Sequence, residues 1–135
     1  MKKTYRGSCH CGRVVFEADL DLAKGTTKCN CTFCWKRRWW GMHVGLDDFR
    51  AISGEEELVP YPASSSASGP SGFCKHCGIA PYARGDAAEW NEGPYVSINL
   101  ACLDDLTPAE LLTAPVEYLD GRADTWETPA ETRHL

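Results

Sequence analysis

Seven of the eight cysteines in this chain lie in three short clusters whose spacing is typical of metal-binding turns. The clusters read Cys9-His10-Cys11, Cys29-Asn30-Cys31-Thr32-Phe33-Cys34 and Cys74-Lys75-His76-Cys77. Cysteines so close in sequence cannot easily pair with each other, but their sulfurs can converge on one ion. Tetrahedral Zn²⁺ takes four ligands, with each sulfur about 2.3 Å from the metal. The seven thiols therefore predict two zinc ions per chain, one held by four sulfurs and one by three sulfurs with an open position.

A disulfide framework is the alternative interpretation of the same cysteines, because eight cysteines in a short chain would suit a small secreted domain. Residues 1–8 lack the apolar stretch of a signal peptide. The chain also lacks the run of about 18 apolar residues that would span a membrane. We therefore expect a cytoplasmic protein whose reduced thiols bind zinc, with iron in a four-sulfur site as the rival metal.

Length and charge limit the class of protein further. The chain has 135 residues, which predicts a single domain over residues 1–135. Its formal net charge is −5, and seven metal-bound thiolates would bring this to about −8. Such a surface repels nucleic acid, and no basic helix follows the last cysteine pair, so we expect no nucleic-acid partner.

The elements that must position the cysteines are predicted to be mainly β. Apolar residues occupy every second position at Val14, Phe16, Ala18 and Leu20, which places them on one face and predicts a half-buried strand over 13–20. Residues 4–8 are its expected hairpin partner, with the first cysteine cluster as the turn. Further strands are predicted over 26–29, 39–44, 56–61, 79–84, 95–100 and 116–119, a single helical turn over 32–38, and an exposed loop over 63–72.

One short helix is predicted near the C-terminus, over Pro108–Thr113. Thr107 is its expected N-cap, Pro108 occupies the first helical position, and Glu110 completes a capping box.

The pairing of the clusters follows in part from their setting. Cys9/Cys11 and Cys74/Cys77 each lie between two predicted strands, so we expect these four to hold a structural zinc ion together. Closing the long loop between them costs little extra entropy per added residue. Spacing alone leaves open that Cys29/Cys31 replaces either pair.

The remaining trio, Cys29, Cys31 and Cys34, offers only three thiols. Its fourth ligand could be water, a substrate thiol or a histidine such as His43. Three protein ligands with an exchangeable fourth are typical of catalytic zinc, which lowers the pKa of a bound thiol. The alternative is a second structural site, closed by a histidine or by a partner chain.

The densest positive cluster of this acidic chain, Lys36-Arg37-Arg38, immediately follows the trio. Within about a Debye length of 8–10 Å it would attract an anionic substrate, although a solvated charged turn is the simpler interpretation. Trp39 and Trp40 either wall a pocket or belong to the core. The lone Cys102, in an apolar setting, is predicted to be buried.

Taken together, these motifs resemble the glutathione-dependent formaldehyde-activating enzyme (GFA) family, also called the CENP-V-type zinc domain. Three segments carry the resemblance, which extends over residues 4 to 120. They are Gly7-Ser8-Cys9-His10-Cys11-Gly12, Cys29-Asn30-Cys31-Thr32-Phe33-Cys34 and Phe73-Cys74-Lys75-His76-Cys77-Gly78. It implies a mainly β, Mss4-like sheet fold with zinc knuckles. It also implies a structural zinc on Cys9, Cys11, Cys74 and Cys77, and a catalytic zinc on the trio.

The activity implied by the resemblance is that of a carbon–sulfur lyase, which joins glutathione to formaldehyde to give S-(hydroxymethyl)glutathione. Lys36, Arg37 and Arg38 would then bind the carboxylates of glutathione. Two other hypotheses stay open. One is a non-catalytic zinc module that binds a protein partner through an exposed apolar patch with Trp39 or Trp40. The other is metal storage or redox sensing through the trio, which needs reversible release of zinc on oxidation.

Overall fold

The computed structural model describes residues 1–61 and 66–135, so residues 63–65 of the loop predicted over 63–72 lie outside the described part. The described residues form strands β1 (Lys3–Ser8), β2 (Val15–Leu20), β3 (Thr26–Cys29), β4 (Gly41–Gly45), β5 (Phe49–Ser53), β6 (Leu58–Val59), β7 (Phe73–Cys74), β8 (Tyr82–Gly85), β9 (Tyr95–Asn99) and β10 (Val116–Leu119). Two helices, α1 (Thr32–Arg37) and α2 (Pro108–Thr113), complete the fold. The prediction of a mainly β protein is confirmed.

The first sheet contains the predicted N-terminal hairpin. β1 and β2 pair antiparallel, and β5 adds to the other side of β2. Phe16, Ala18 and Leu20 alternate as predicted and are buried. The edge strand β5 was not predicted, because only its residue Phe49 is buried and its pattern therefore carries little periodic signal.

The second sheet brings the C-terminal part of the chain to the trio. Its strand order is β10-β3-β4-β9-β8, and β10 runs parallel to β3 with Leu119 opposite Cys29. The chain that leaves β10 therefore continues directly beside the cluster that follows β3.

Proline shortens two of the predicted strands. The strand predicted over 56–61 is reduced to β6, which ends immediately before Pro60. The strand predicted over 79–84 begins only at Tyr82, after Pro81. Proline has no amide hydrogen for the ladder, so it is confined to strand ends and edges.

Two helices are present where the sequence predicted one helix and one helical turn. α2 has the predicted Thr107 cap and the reciprocal capping box with Glu110. The predicted turn over 32–38 is the complete helix α1, which Arg38 ends in the left-handed conformation (φ 53°). Within the described residues, neither helix is long and apolar enough to cross a membrane.

The hydrophobic core lies between the two larger sheets. The Phe16 and Tyr82 rings meet edge to face at 5.4 Å, and Phe49 approaches Tyr82 at 4.6 Å. These contacts join the first sheet to β8 of the second sheet, the sheet that also contains β3 and Cys29. Cys102 is 7% exposed, so its predicted burial is confirmed.

Candidate metal centres and the adjoining cavity

The first cysteine group forms where two hairpin turns meet. The Cys9 amide donates to the Val14 carbonyl at 3.0 Å and closes the first turn, and the Cys74 amide donates to Ile79 at 2.9 Å in the second. Gly12 and Gly78 follow the two cysteine pairs with φ of 80° and 79°, a conformation that favours glycine. The turns bring together the sulfurs of Cys9, Cys11, Cys74 and Cys77, which all lie within 4.8 Å of one another.

The sulfur distances in this group fit a metal tetrahedron and not a disulfide. Cys11 Sγ lies 3.6 Å from Cys9 Sγ and 3.6 Å from Cys74 Sγ. A disulfide needs about 2.05 Å, whereas four sulfurs about 2.3 Å from zinc lie about 3.8 Å apart. All eight cysteines belong to the described residues, and all are free.

The electrostatics of the four-cysteine group favour negative charge at one edge. The backbone and side chain of Arg13 donate to Cys11 and lower its pKa to about 6. The Val14 amide donates to Cys9 Sγ at 3.4 Å. Burial raises the pKa of Cys74 to about 11, and a cation between the sulfurs would offset that cost.

The two histidines of these turns do not join the group. His10 is exposed, and His76 Nε2 lies 2.7 Å from Glu57 Oε2. The donor set is therefore four sulfurs, which is a complete set for tetrahedral zinc.

The trio lies where β3 meets α1. Cys29 ends β3, Cys31 is the N-cap of α1, and Cys34 is in the first turn of that helix. Their three sulfurs lie within 4.8 Å of one another. The Cys31 amide donates to Cys29 Sγ and the Cys34 amide donates to Cys31 Sγ, both at 3.4 Å. Peptide donors aimed at sulfur stabilise thiolates, so this donor set also fits a thiolate-bound metal.

Burial and hydrogen bonding shift the pKa values of the trio's thiols in opposite directions. Burial raises the pKa of Cys34 to about 12, with a further contribution from Cys31. Burial acts against ionisation of Cys31 as well, but the Cys34 donors outweigh it and lower the pKa of Cys31 below its ordinary value.

The segment after β10 supports the trio from behind. Asn30, between two of the cysteines, donates to Asp120 Oδ1 at 2.9 Å and accepts from the Arg122 amide at 3.0 Å. Gly121 lies so close to the trio that a Cβ at this position would be 2.7 Å from Cys29 Sγ. No local pattern predicts these contacts, since 90 residues separate Asn30 from Asp120.

A cavity of about 370 Å³ opens beside the trio. Its lining comprises all three cysteines together with Thr27, Phe33, Arg37, Trp39, His43, Ala83, Arg84, Tyr95, Ser97, Leu119 and Trp126. His43 stacks on Tyr95 with ring centroids 4.4 Å apart, and desolvation lowers its pKa. Among the described residues, no histidine or carboxylate joins the trio's sulfurs within 4.8 Å of them all. The trio therefore remains a three-sulfur group next to a cavity of ligand-binding size.

The three positive side chains predicted to bind substrate, those of Lys36, Arg37 and Arg38, face different parts of the surface. Arg37 lines the cavity and lies between the rings of Phe33 and Trp39, at 3.8 and 4.3 Å. Its Nε atom is buried and has no hydrogen-bond partner. Arg38 instead lines a smaller cavity of about 150 Å³ next to Cys29 and Cys34, where it stacks on Trp35 at 4.6 Å and donates to the His134 carbonyl at 2.8 Å.

The neighbouring residues Lys36, Trp39 and Trp40 also have different surroundings. Lys36 is exposed and does not line the trio's cavity. Trp39 lines the cavity, whereas Trp40 packs against the core and donates to Thr26 Oγ1 at 2.8 Å. Arg84, Tyr95 and Trp126 also line the cavity, and no sequence pattern predicts this because they come from distant segments.

The fold and the site together define a mainly β protein with two cysteine groups of metal-binding geometry, and all three cysteines of the smaller group line one cavity. The chain matches the glutathione-dependent formaldehyde-activating enzyme family over residues 4–119, and it belongs to this family. The predicted family resemblance is confirmed. The chain is also similar to a Rhodobacter sphaeroides protein of known crystal structure, with 29% sequence identity and a TM-score of 0.62. That match covers 82% of this chain and 98% of the other.

Proposed function

We propose that this protein is a zinc-dependent carbon–sulfur lyase-type enzyme. In this proposal it condenses glutathione with formaldehyde to S-(hydroxymethyl)glutathione, or handles a related thiol adduct. Family membership supports the class of reaction. The observation that carries the proposal is the contrast between the cysteine groups: one has a complete set of four sulfurs, whereas the other has three, and all three of its cysteines line one cavity.

The two groups would have different roles. Cys9, Cys11, Cys74 and Cys77 would hold a structural zinc ion that joins two distant hairpin turns. Cys29, Cys31 and Cys34 would hold a catalytic zinc ion with one position left for the substrate. When bound there, zinc supplies a Lewis acid that makes a thiol ionise near neutral pH.

The protein's own groups would bind and orient the thiol. The Arg37 guanidinium faces the cavity, and its aromatic neighbours fix its plane. A fixed guanidinium suits a carboxylate such as those of glutathione. Of the predicted substrate-binding residues, Arg37 therefore has the best placed side chain in this cavity, Arg38 borders the smaller cavity next to Cys29 and Cys34, and Lys36 would act only through long-range charge.

We propose a single domain over residues 1–135, located in the cytoplasm, with a small thiol as partner and no nucleic acid. The free thiols are consistent with a reducing compartment, and the net charge of −5 disfavours nucleic acid.

The test combines metal analysis with a binding and an exchange measurement. Purified protein should contain two zinc ions per chain, and glutathione should perturb one of them, measured with Co²⁺ as a spectroscopic substitute. Because formaldehyde adds to thiols unaided, the activity should be measured as NMR exchange between free and hydroxymethylated glutathione. Cys31→Ser should abolish the acceleration, and Cys102→Ser, which changes a buried thiol outside both groups, should retain it.

Two inert zinc ions and no accelerated exchange would contradict the proposal and favour a non-catalytic module that binds a protein. In that hypothesis Trp39 or Trp40 would form an exposed patch. Neither tryptophan is among the exposed large apolar side chains of the described residues. A non-catalytic module would therefore need a different surface to bind its protein partner.

A further inference from the structure

We propose that the cavity beside the trio selects a thiol adduct that carries a flat aromatic group, and that Trp126 is a specificity-determining residue for it. This inference rests on the proposed function and names the carbonyl partner of the thiol as an aromatic aldehyde. Formaldehyde would then be a poor substitute for the preferred partner.

The lining of the cavity is the first observation. Five rings border it, those of Phe33, Trp39, His43, Tyr95 and Trp126. His43 and Tyr95 are stacked, and Trp90 packs edge-on against Tyr95 with centroids 5.1 Å apart, which braces this wall from outside. Aromatic rings prefer stacked or edge-to-face contact with other flat groups. A single-carbon group such as that of formaldehyde would leave most of these ring faces without a contact.

The charges in the cavity are the second observation. Arg84 is paired with Glu55 at 2.6 Å, and its Nε atom donates to the Pro70 carbonyl at 2.9 Å. Arg37 is the other arginine in the lining. Arg37 also interacts with Cys34 of the trio, so the cavity offers at most this one cation to a carboxylate of the thiol, and the remaining walls are left for an uncharged group.

The backbone around Trp126 is the third observation. Asp124 and Trp126 have φ of 58° and 60°, in the left-handed region that is rare for a bulky residue. Such strain persists only where the surroundings over-determine it, and it concentrates at functional sites. Here the Trp126 amide donates to the Asp120 carbonyl at 3.1 Å, and its indole Nε1 donates to Asp124 Oδ1 at 2.8 Å.

These contacts hold an exposed tryptophan at the mouth of the trio's cavity. The Trp126 side chain is 55% exposed, so burial in the core does not explain its strained position. A Cβ on Gly121 would lie 3.0 Å from the Trp126 ring and 2.7 Å from Cys29 Sγ. The ring therefore lies over the backbone next to a trio sulfur, where it can cover the group attached to a bound thiol.

The reaction remains a simple addition. The thiolate sulfur attacks the carbonyl carbon of the aromatic aldehyde, the C–S bond forms and the carbonyl π bond breaks. The oxygen takes up the proton that the thiol lost, so that the product is a hemithioacetal. No oxidant or reductant is needed, and the reverse reaction releases both partners.

Calorimetric binding of stable adduct analogues tests the inference separately from activity. S-methylglutathione mimics the formaldehyde adduct, and S-benzylglutathione mimics the benzaldehyde adduct with the same thiol. S-(cyclohexylmethyl)glutathione is equally bulky but not flat. We expect the benzyl compound to bind about tenfold or more tightly than the methyl compound, and more tightly than the cyclohexylmethyl compound.

Variants at Trp126 connect this preference with the ring. Trp126→Phe should keep most of the preference for benzyl over cyclohexylmethyl, whereas Trp126→Leu should reduce it about three- to tenfold. Leu112→Ala, a change at an 86% exposed position on α2, should leave it unchanged. Zinc content and circular dichroism of each variant would verify that the fold is intact.

The outcomes separate the inference from the function on which it rests. If glutathione and all analogues bind with equal affinity, the thiol site stands and the aromatic selection is wrong. Equal loss of the preference in Trp126→Phe and Trp126→Leu would also overturn the role of the ring. If neither glutathione nor any analogue binds, both the proposed function and this inference fail.

Discussion

The side-chain amide of Asn30 donates to Asp120 Oδ1 at 2.9 Å, and this bond joins the trio's cluster to the turn that follows β10. The same carboxylate oxygen accepts from the Ala123 amide at 3.0 Å, so the acceptor is itself fixed. Groups that hold the neighbours of metal ligands usually tune the affinity for the metal. The trio is therefore organised by a segment far away in the sequence.

Removing the Asp120 carboxylate should weaken zinc binding by the trio and leave zinc binding by the four-cysteine group unchanged. In Asp120→Ala we expect the affinity for one of two zinc ions to fall about 10- to 100-fold, measured by competition with a chelator. Asp47→Ala, at an exposed acidic position, is the matched control. Unchanged affinity of both ions would show that the Asn30 contact is dispensable.

Adding a methyl group at Gly121 should act on the same ion through steric conflict. The new Cβ would lie 2.7 Å from Cys29 Sγ, a distance that real Cβ atoms essentially never show. We expect Gly121→Ala to lose most of the trio's zinc, measured by metal analysis after gel filtration. Gly93→Ala, where a Cβ would meet nothing within 4 Å, should retain two ions. Full zinc retention in Gly121→Ala would mean that the turn moves aside easily.

The two cysteine groups should respond differently to loss of a single thiol. Cys9→Ser should lower the unfolding temperature by more than about 10 °C, because a structural zinc contributes directly to folding. Cys31→Ser should lower it by less than about 5 °C and abolish the exchange activity. Thermal unfolding followed by circular dichroism would compare them, and equal losses of stability would contradict a division into structural and catalytic sites.

The separation of the positive side chains predicts different effects on substrate binding. Arg37→Gln should weaken binding of glutathione about tenfold, because a charge-assisted hydrogen bond inside the cavity is lost. Lys36→Gln should have little effect, because Lys36 is exposed and does not line the trio's cavity. Calorimetric titration of both variants tests this, and similar losses would mean that only net charge matters.

Acid should selectively weaken the contact between β1 and α2. Glu110 accepts hydrogen bonds from Lys3, Tyr5 and its own N-cap, and these bonds hold its pKa at about 2. Since this pKa is lower in the folded state than the ordinary value of 4.5, the bonds stabilise the fold fully above pH 4.5. That contribution is lost as the pH falls from 4.5 towards 2.

Comparison of Glu110→Gln with the unmodified protein measures this contribution and cancels effects of acid on the metal sites. The variant should be less stable in urea at pH 7, and the difference should shrink as the pH falls below 4.5. A difference that stays constant between pH 7 and pH 2 would be inconsistent with ionised Glu110 as the stabilising species.

Local patterns predicted the elements that carry strong local signals. The alternation around Phe16 predicted a buried strand, and the capping residues Thr107 and Glu110 predicted α2. Both patterns depend on neighbours within a few residues, so they can be recognised without knowledge of the fold. The edge strand β5 has a single buried residue, Phe49, and gave no comparable signal.

The positive cluster shows the limit of such reasoning. Lys36, Arg37 and Arg38 are consecutive, and the sequence suggested that they act together. Consecutive residues at a helix end point in different directions, because each residue advances the helix by about 100°. As a result Arg37 faces the trio's cavity, Arg38 stacks on Trp35, and Lys36 remains exposed.

The sequence by itself determined the family, the mainly β class and the two sets of sulfurs, because cysteine spacing and strand alternation are local properties. Only the tertiary structure decided what surrounds the trio. The parallel pairing of β10 with β3 brings Asp120, Gly121 and Trp126 to Cys29. Pairing between distant strands depends on the packing of the whole sheet, so no short pattern around Trp126 could have placed its ring beside a sulfur.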